Sequence, residues 1–216
     1  MKNNFFCKSA DVYLYEKPSH KSKISSQILY GEKFKILLKN KNWLKIKTSF
    51  DNYTGYVKKI NYINKFKPTH KIKKIFAIIY KKPNKNSKTK KKLSFCSFIS
   101  VKKKENNFYK FDNYWIKKKD VTPIGKNENI FSKIKIFKNI KYKWGGANFK
   151  GIDCSALVQI CYKYNNKFCP RDTKDQIKFF KKSKNTKLFK KNDLIFWTGH
   201  VAVCINSKSL IHAYGP

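Results

Sequence analysis

The stretch Tyr142-Lys-Trp-Gly-Gly-Ala-Asn-Phe-Lys-Gly-Ile-Asp-Cys-Ser-Ala-Leu-Val-Gln159 turns poor in lysine and dense in glycine within a chain otherwise saturated with lysine. It runs on into Cys154 to Tyr164, where Cys154, Leu157, Val158, Cys161 and Tyr162 fall on one helical stripe, the pattern of a buried helix. The glycine-rich half is then a loop that delivers a cysteine to a helix start. Upstream, Phe131 to Lys138 reads as a short helix leading into that loop, and downstream Asp172 to Phe180 reads as another, with Thr173 as a cap. Three strands follow: Asp193 to Trp197, His200 to Ile205 beyond a Thr198-Gly199 turn, and Ser209 to His212. Helices that precede strands indicate an α+β domain.

The first half of the chain has a different grammar. Tyr15-Glu-Lys-Pro-Ser-His-Lys-Ser22 and Tyr80-Lys-Lys-Pro-Asn-Lys-Asn-Ser87 align Tyr, Pro and Ser at an offset of 65 residues, and Ile28, Tyr30 and Ile36 then fall on Leu93, Phe95 and Val101. The chain contains an internal repeat. In the first copy Gln27 to Tyr30, Phe34 to Leu38, Trp43 to Lys47 and Gly55 to Val57 read as short strands between turns. Trp43, Lys45 and Lys47 alternate with Leu44, Ile46 and Thr48, as a strand with one buried face requires. Two small β-barrels account for this pattern most economically.

The net charge of +39 would ordinarily point to a nucleic-acid or membrane partner. Only Arg171 among the 51 basic residues is arginine, and the lysines are spread over nearly every segment. Lysine, asparagine, isoleucine, phenylalanine and tyrosine are abundant together, as drift in an AT-rich coding sequence would produce. The lysines therefore read as a solvated surface, not a specific nucleic-acid site, although such a surface attracts acidic substrates until salt screens it. The six cysteines show no zinc-ribbon or C-x-x-C spacing and read as reduced thiols. The amino terminus lacks the apolar core of a signal peptide and no run reaches a membrane span, which sets the expected compartment as the cytoplasm.

A cysteine nucleophile needs an environment that favours the thiolate, a base, and a group to orient the base. Cys154 at a helix start has the dipole and free N–H groups, which could also serve an oxyanion. His200 opens a strand after a tight turn, and His212 lies on the next strand, where cross-strand pairing could bring the rings together. A lone cysteine at a helix start usually fills a core, and a lone histidine is usually just hydrogen-bonded. The conjunction changes the reading, since the other two histidines, His20 and His70, lie in the barrels.

These residues carry a family resemblance. Tyr142-Lys-Trp-Gly-Gly146, Gly151-Ile-Asp-Cys-Ser-Ala-Leu-Val158, Pro170-Arg-Asp-Thr173 with Gln176, Asp193-Leu-Ile-Phe-Trp197, His200-Val201 and Ile211-His-Ala213 match six ordered blocks of the NlpC-type, papain-like cysteine peptidases. Residues 9–64 resemble a bacterial SH3-like domain, with Gly31-Glu32, Trp43-Leu-Lys-Ile46 and Gly55-Tyr-Val57 in its pattern. Residues 70–123 resemble a diverged second copy with Cys96-Ser97 in place of Gly-Glu. The implied architecture is two small all-β SH3-like barrels followed by an α+β papain-like cysteine peptidase domain over residues 124–216.

The resemblance implies Cys154 as nucleophile, His200 as general base and acid, and His212 as its orienting partner, with no metal or cofactor. The tandem arrangement is similar to the γ-D-glutamyl-L-diamino acid endopeptidases, which cut between D-glutamate and diaminopimelate in murein peptides with a free amino-terminal L-alanine. By position Tyr142, Asp153, Ser155, Asp172 and Thr173 become peptide contacts, with Glu32 and Tyr53 the first barrel's contribution. An ammonium needs acceptors and a counter-charge, which Asp153, Glu32 and tyrosine hydroxyls supply. Asp153 is equally suited to cap the Cys154 helix. Arg171 suits either a substrate carboxylate or an ion pair with Asp172 or Asp153, both planar contacts that lysine could not replace. The expected partners are murein-derived peptides and the expected state is a monomer. Ala156 and Asn192 stand where the pattern has glycine, and the chain stops at Pro216, where such domains usually add another strand: either the domain is trimmed, with the His212 strand less covered, or the sequence is a fragment. Two other readings remain at this stage: a decayed wall-binding or scaffold protein, and a basic nucleic-acid binder.

Overall fold

Residues 4–40, 42–58, 60–182 and 188–215 are described by the structure, a computed structural model. The chain divides into two compact units, Met1–Asn127 and Glu128–Pro216.

In the first unit, β1 (Asn4–Cys7), β2 (Asp11–Tyr15), β3 (Ile24–Leu29), β4 (Lys33–Asn40), β5 (Trp43–Thr48), β6 (Thr54–Val57) and β7 (Tyr62–Ile63) form one sheet in the order β3-β2-β6-β5-β4-β1-β7. Apolar side chains of alternate residues meet inside it: Cys7, Leu14, Ile28, Phe34, Ile46, Val57 and Ile60. Ile46 and Thr48 are buried on β5, the face that alternation assigned. The second copy comprises β8 (His70–Ile72), β9 (Phe76–Tyr80), β10 (Lys88–Ser94), β11 (Phe98–Ile99), β12 (Lys103–Glu105), β13 (Phe108–Phe111), β14 (Tyr114–Lys117) and β15 (Val121–Pro123). They make a five-stranded sheet, β10-β9-β14-β13-β12, and a three-stranded one, β11-β8-β15.

The offset of 65 holds in three dimensions. Asp11 pairs with Leu29 as Phe76 pairs with Ser94, and Asn40 pairs with Trp43 as Glu105 pairs with Phe108. It breaks at the far end of the first hairpin, where Tyr15 pairs with Ile24 but Tyr80 with Lys88, and at the last hairpin, where the second copy turns through Asp112-Asn113 directly from Phe111 to Tyr114. Gly31 and Cys96, equivalent by the offset, both have left-handed backbones, with φ of +81° and +65°. A Cβ on Gly31 would lie 2.1 Å from the carbonyl oxygen of Phe98. That turn is where the copies join: the Phe98 amide donates to the Tyr30 carbonyl at 2.9 Å, and Tyr30 packs in the second copy's core with Ile72, Ala77, Leu93 and Phe111. Lys8 donates to both the Tyr30 hydroxyl and Asp112, and the hydroxyl also donates to Asp112.

The second unit centres on α1 (Cys154–Tyr164). It is the buried helix that its apolar stripe indicated, and every residue of it except Tyr162, which lies on that stripe, is buried. The physical reason is that it is enclosed by a tight helical turn at Ile134–Phe137, the hairpin of β16 (Ala147–Asn148) and β17 (Gly151–Ile152), α2 (Thr173–Phe179), and the sheet of β18 (Leu194–Trp197), β19 (His200–Cys204) and β20 (Leu210–Ile211). The helix expected over Phe131 to Lys138 shrinks to that single turn. The three expected strands form an antiparallel sheet in the order β18-β19-β20. At α2 the cap position is Asp172, so Thr173 is the first helical residue and not the cap. Among the described residues no helix is long and apolar enough to cross a membrane.

Candidate active site

The glycine-rich loop folds back on its own backbone. Gly145 adopts φ +69°, and a Cβ on Gly146 would lie 2.5 Å from the Gly151 carbonyl oxygen. Tyr142 bridges Ile152, and the Asp153 amide donates to the Gly146 carbonyl at 3.1 Å. The glycines therefore let the loop lie against the β16–β17 hairpin that feeds directly into Asp153 and α1.

Asp153 caps α1: its Oδ1 accepts the Ala156 amide at 2.8 Å and its Oδ2 accepts the Gly145 amide at 2.9 Å. Arg171 grips the same carboxylate bidentately, Nη1 to Oδ1 at 3.0 Å and Nη2 to Oδ2 at 2.6 Å, and Nη1 also donates to Ser155 Oγ at 2.9 Å. Of the roles open to Arg171, the structure contains the ion pair with Asp153, and the guanidinium is only 3% exposed. Asp153 and Ser155 are buried too, and Ser155 Oγ donates to Asp153 Oδ1 at 3.1 Å. Gln176 ties α2 to this base, donating to the Ser155 and Pro170 carbonyls at 2.9 Å. Sequence reasoning placed Gln176 in a motif without giving it this part.

Cys154 thus stands on a fixed platform as the first residue of α1, its Sγ 3.9 Å from Thr173 Oγ1 at the start of α2. The amides of Cys154 and Ser155 donate to no acceptor among the described residues, while those of Ala156 and Leu157 donate to Asp153 Oδ1 and the Asp153 carbonyl. Tyr142 lies alongside: burial pushes its hydroxyl above the ordinary phenol pKa, the neighbouring Asp153 and Cys154 add to that, and Arg171 opposes it.

The histidines meet. His200 Nε2 lies 2.9 Å from His212 Nδ1. The β19–β20 register pairs Val203 with Ile211, so His212 falls opposite Ala202, diagonal to His200 on the same face. His200 is reached through the Thr198-Gly199 turn, with Gly199 at φ +71°. Burial pushes the His200 pKa down, and the neighbouring His212 pushes it further. β19 itself packs against α1. Asn192, in the glycine position of the motif, has φ +76° and donates its amide to the Cys204 carbonyl at 2.8 Å, so this turn survives the exchange.

Glu32 and Tyr53 belong to the other unit. Glu32 is buried and its Oε2 accepts the Leu29 amide at 3.0 Å, closing the turn that holds Gly31; Tyr53 packs half-buried against the first barrel's core. All six cysteines are buried, and none is in a disulfide. Among the described residues no group of three histidine, cysteine, aspartate or glutamate side chains is placed to hold a metal ion.

Comparison with known proteins bears on the family and the fold. Residues 139–215 match the NlpC/P60 family and residues 10–60 the bacterial SH3 domain. Dipeptidyl-peptidase 6 of Lysinibacillus sphaericus is 33% identical over 86 residues, 40% of this chain; the match spans 32% of that relative's length. Among solved structures, an NlpC/P60 family protein from Bacillus cereus ATCC 10987 aligns over 97% of this chain and 90% of its own, with TM-score 0.83 and 20% identity. An NlpC/P60 endopeptidase from Photobacterium damselae subsp. piscicida aligns over 98% of this chain and 60% of its own, with TM-score 0.60 and 12% identity. At such identities these two likenesses speak to the fold. What the chain carries, then, is a domain of the NlpC/P60 family over residues 139–215, preceded by a bacterial SH3 domain.

Proposed function

We propose that the chain is a cysteine endopeptidase that cleaves the γ-D-glutamyl-diaminopimelate bond of murein peptides bearing a free amino-terminal L-alanine. The observation that carries the catalytic part is the 2.9 Å contact of His200 Nε2 with His212 Nδ1, in a sheet packed on the helix that Cys154 begins. With His200 donating through Nε2–H and His212 accepting at Nδ1, the Nδ1 of His200 keeps its lone pair for a thiol proton.

The steps follow. His200 takes the Cys154 proton, and the thiolate attacks the γ-carbonyl carbon. The amides of Cys154 and Ser155 receive the developing oxyanion. The imidazolium gives its proton to the departing amine as the C–N bond breaks, leaving a thioester. His200 then deprotonates water, which attacks the thioester, and the carboxylate product leaves as the thiol is restored.

On the substrate side, Tyr142 and Thr173, which lie beside Cys154, are assigned as peptide contacts together with Asp172, the residue before Thr173, whereas the side chains of Asp153, Ser155 and Arg171 are engaged with one another and act by holding the helix start. Glu32 and Tyr53 are assigned to the ammonium of L-alanine, on the ground that this charge needs acceptors and an acid. The net charge of +39 suits a substrate rich in carboxylates.

The test is incubation with L-Ala-γ-D-Glu-diaminopimelate, following dipeptide release by mass spectrometry beside C154A. Cleavage by the wild type alone is expected. No cleavage, or equal cleavage by C154A, overturns the reading. Acetylating the substrate's amine should abolish turnover, and equal cutting of the acetylated peptide would remove Glu32 and Tyr53 from the site.

A further inference from the structure

His200 lies at the centre of a row of aromatic rings that the steps above do not use. The β18–β19 register pairs Trp197 directly with His200. The β19–β20 register, Val203 with Ile211 and Cys204 with Leu210, sets Tyr214 opposite His200 from the other side when continued past the end of β20. The rings follow that count. Trp197 lies 4.6 Å from His200 at 32°, and Tyr214 lies 6.1 Å from it at 70°. Both also reach His212, at 6.2 Å and 5.7 Å. The hydrogen bond between the two histidines therefore has an aromatic ring on each flank.

Tyr214 is held in that place by its neighbours in sequence. His212 is fixed by its bond to His200, and Gly215 lies so close to the Tyr142 ring that a Cβ there would be 2.4 Å from Cδ1. The segment thus crosses from the histidines to the tyrosine that borders Cys154. Trp197 and Tyr214 are nevertheless 46% and 73% exposed, open rings on a surface otherwise rich in lysine. A hydrogen bond between two imidazoles open to water holds geometry weakly, because water competes for both nitrogens; apolar flanks remove that competition and restrict rotation of the rings.

We propose that Trp197 and Tyr214 are positioning residues that lock the imidazole of His200 and shield its bond to His212. This rests on the reading of His200 as the base. The downward push of burial on His200 agrees with such shielding.

The test separates this claim from the substrate assignment by using a reaction that needs no substrate: the rate at which iodoacetamide alkylates Cys154, followed on the Cys154 peptide by mass spectrometry across pH. W197A and Y214A should each slow alkylation at neutral pH by about tenfold or more, and lower kcat on the tripeptide with KM little changed. W197F and Y214F, which keep a ring, should restore most of both. In an NMR titration the His200 pKa should rise toward its ordinary value in W197A and stay put in W197F. Because Tyr214 is so exposed, Y214A guards against a W197A that fails to fold. If Cys154 of the wild type alkylates faster than free cysteine, and both alanine variants match it, the inference is wrong while the catalytic reading stands. A rise in KM with kcat preserved would make the rings substrate contacts and also overturn it. A wild-type Cys154 no more reactive than free cysteine would sink the catalytic reading, and this inference with it.

Discussion

Arg171 closes on both oxygens of Asp153, the residue immediately before Cys154, so the start of α1 is clamped from the side by a buried ion pair. Removing one partner of such a pair strands the other in a site it cannot leave. R171A should cost about 3 to 5 kcal/mol in urea denaturation of the second unit. R171K keeps the charge but not the two parallel bonds, and should fall between R171A and the wild type. Equal stability of R171K and wild type would mean that the bidentate geometry contributes nothing.

The pH dependence has a definite sign. His200 sits below its ordinary value of 6.5, by burial first and by His212 second. Such a histidine binds fewer protons folded than unfolded, so its contribution to stability is present above the ordinary value and lost as pH falls through the lowered one. In catalysis the base stays available to lower pH, and the acidic limb of kcat/KM should lie below 6.5. H212N removes the neighbouring titratable ring and should move that limb upward, only partly, because burial remains. H212A should lose activity on the order of 10²-fold.

Two left-handed glycines should respond very differently to a methyl group. In G31A the new Cβ meets the Phe98 carbonyl on a φ of +81°, and strain plus overpacking should cost about 3 kcal/mol or more. In G199A nothing lies within 4 Å, and only the conformational strain of about 1 to 2 kcal/mol remains. Equilibrium denaturation of the two variants measures the difference, and similar losses would contradict it.

Asn192 offers a milder check on the same physics. N192G should be neutral or slightly stabilising at φ +76°, and N192V should lose about 1 to 2 kcal/mol because a branched Cβ is worst there. A destabilised N192G would show that the asparagine side chain, not its backbone tolerance, holds the turn.

Much of this was legible in the chain itself. The offset of 65 anticipated equivalent strand pairings because a repeat that keeps its spacing keeps its register, and Ile46 and Thr48 went inside as alternation required. The meeting of His200 and His212 followed from two adjacent strands and a short turn. Other features were not readable. Four residues at Asn4–Cys7 and three at His70–Ile72 are too short to show a period, yet both are strands, stabilised by partners distant in sequence. The all-round burial of α1 depends on what packs against Ser155, Gln159 and Lys163, polar residues that a periodicity count assigns to solvent. Glycine density before Cys154 marked a loop but not what it lies against, and Gly146 is pressed against the chain's own Gly151. Composition reports that room is needed; it does not report by whom.

Tyr30 belongs to the first repeat by sequence and to the core of the second by packing, 5% exposed among Ile72, Ala77 and Phe111. Duplicated modules are often treated as interchangeable beads, separable at the linker. Here a cut between the copies would leave one half with a bare aromatic ring and the other with a hole where that ring had been. The two repeats are therefore expected to melt in one cooperative transition, and neither should survive expression alone.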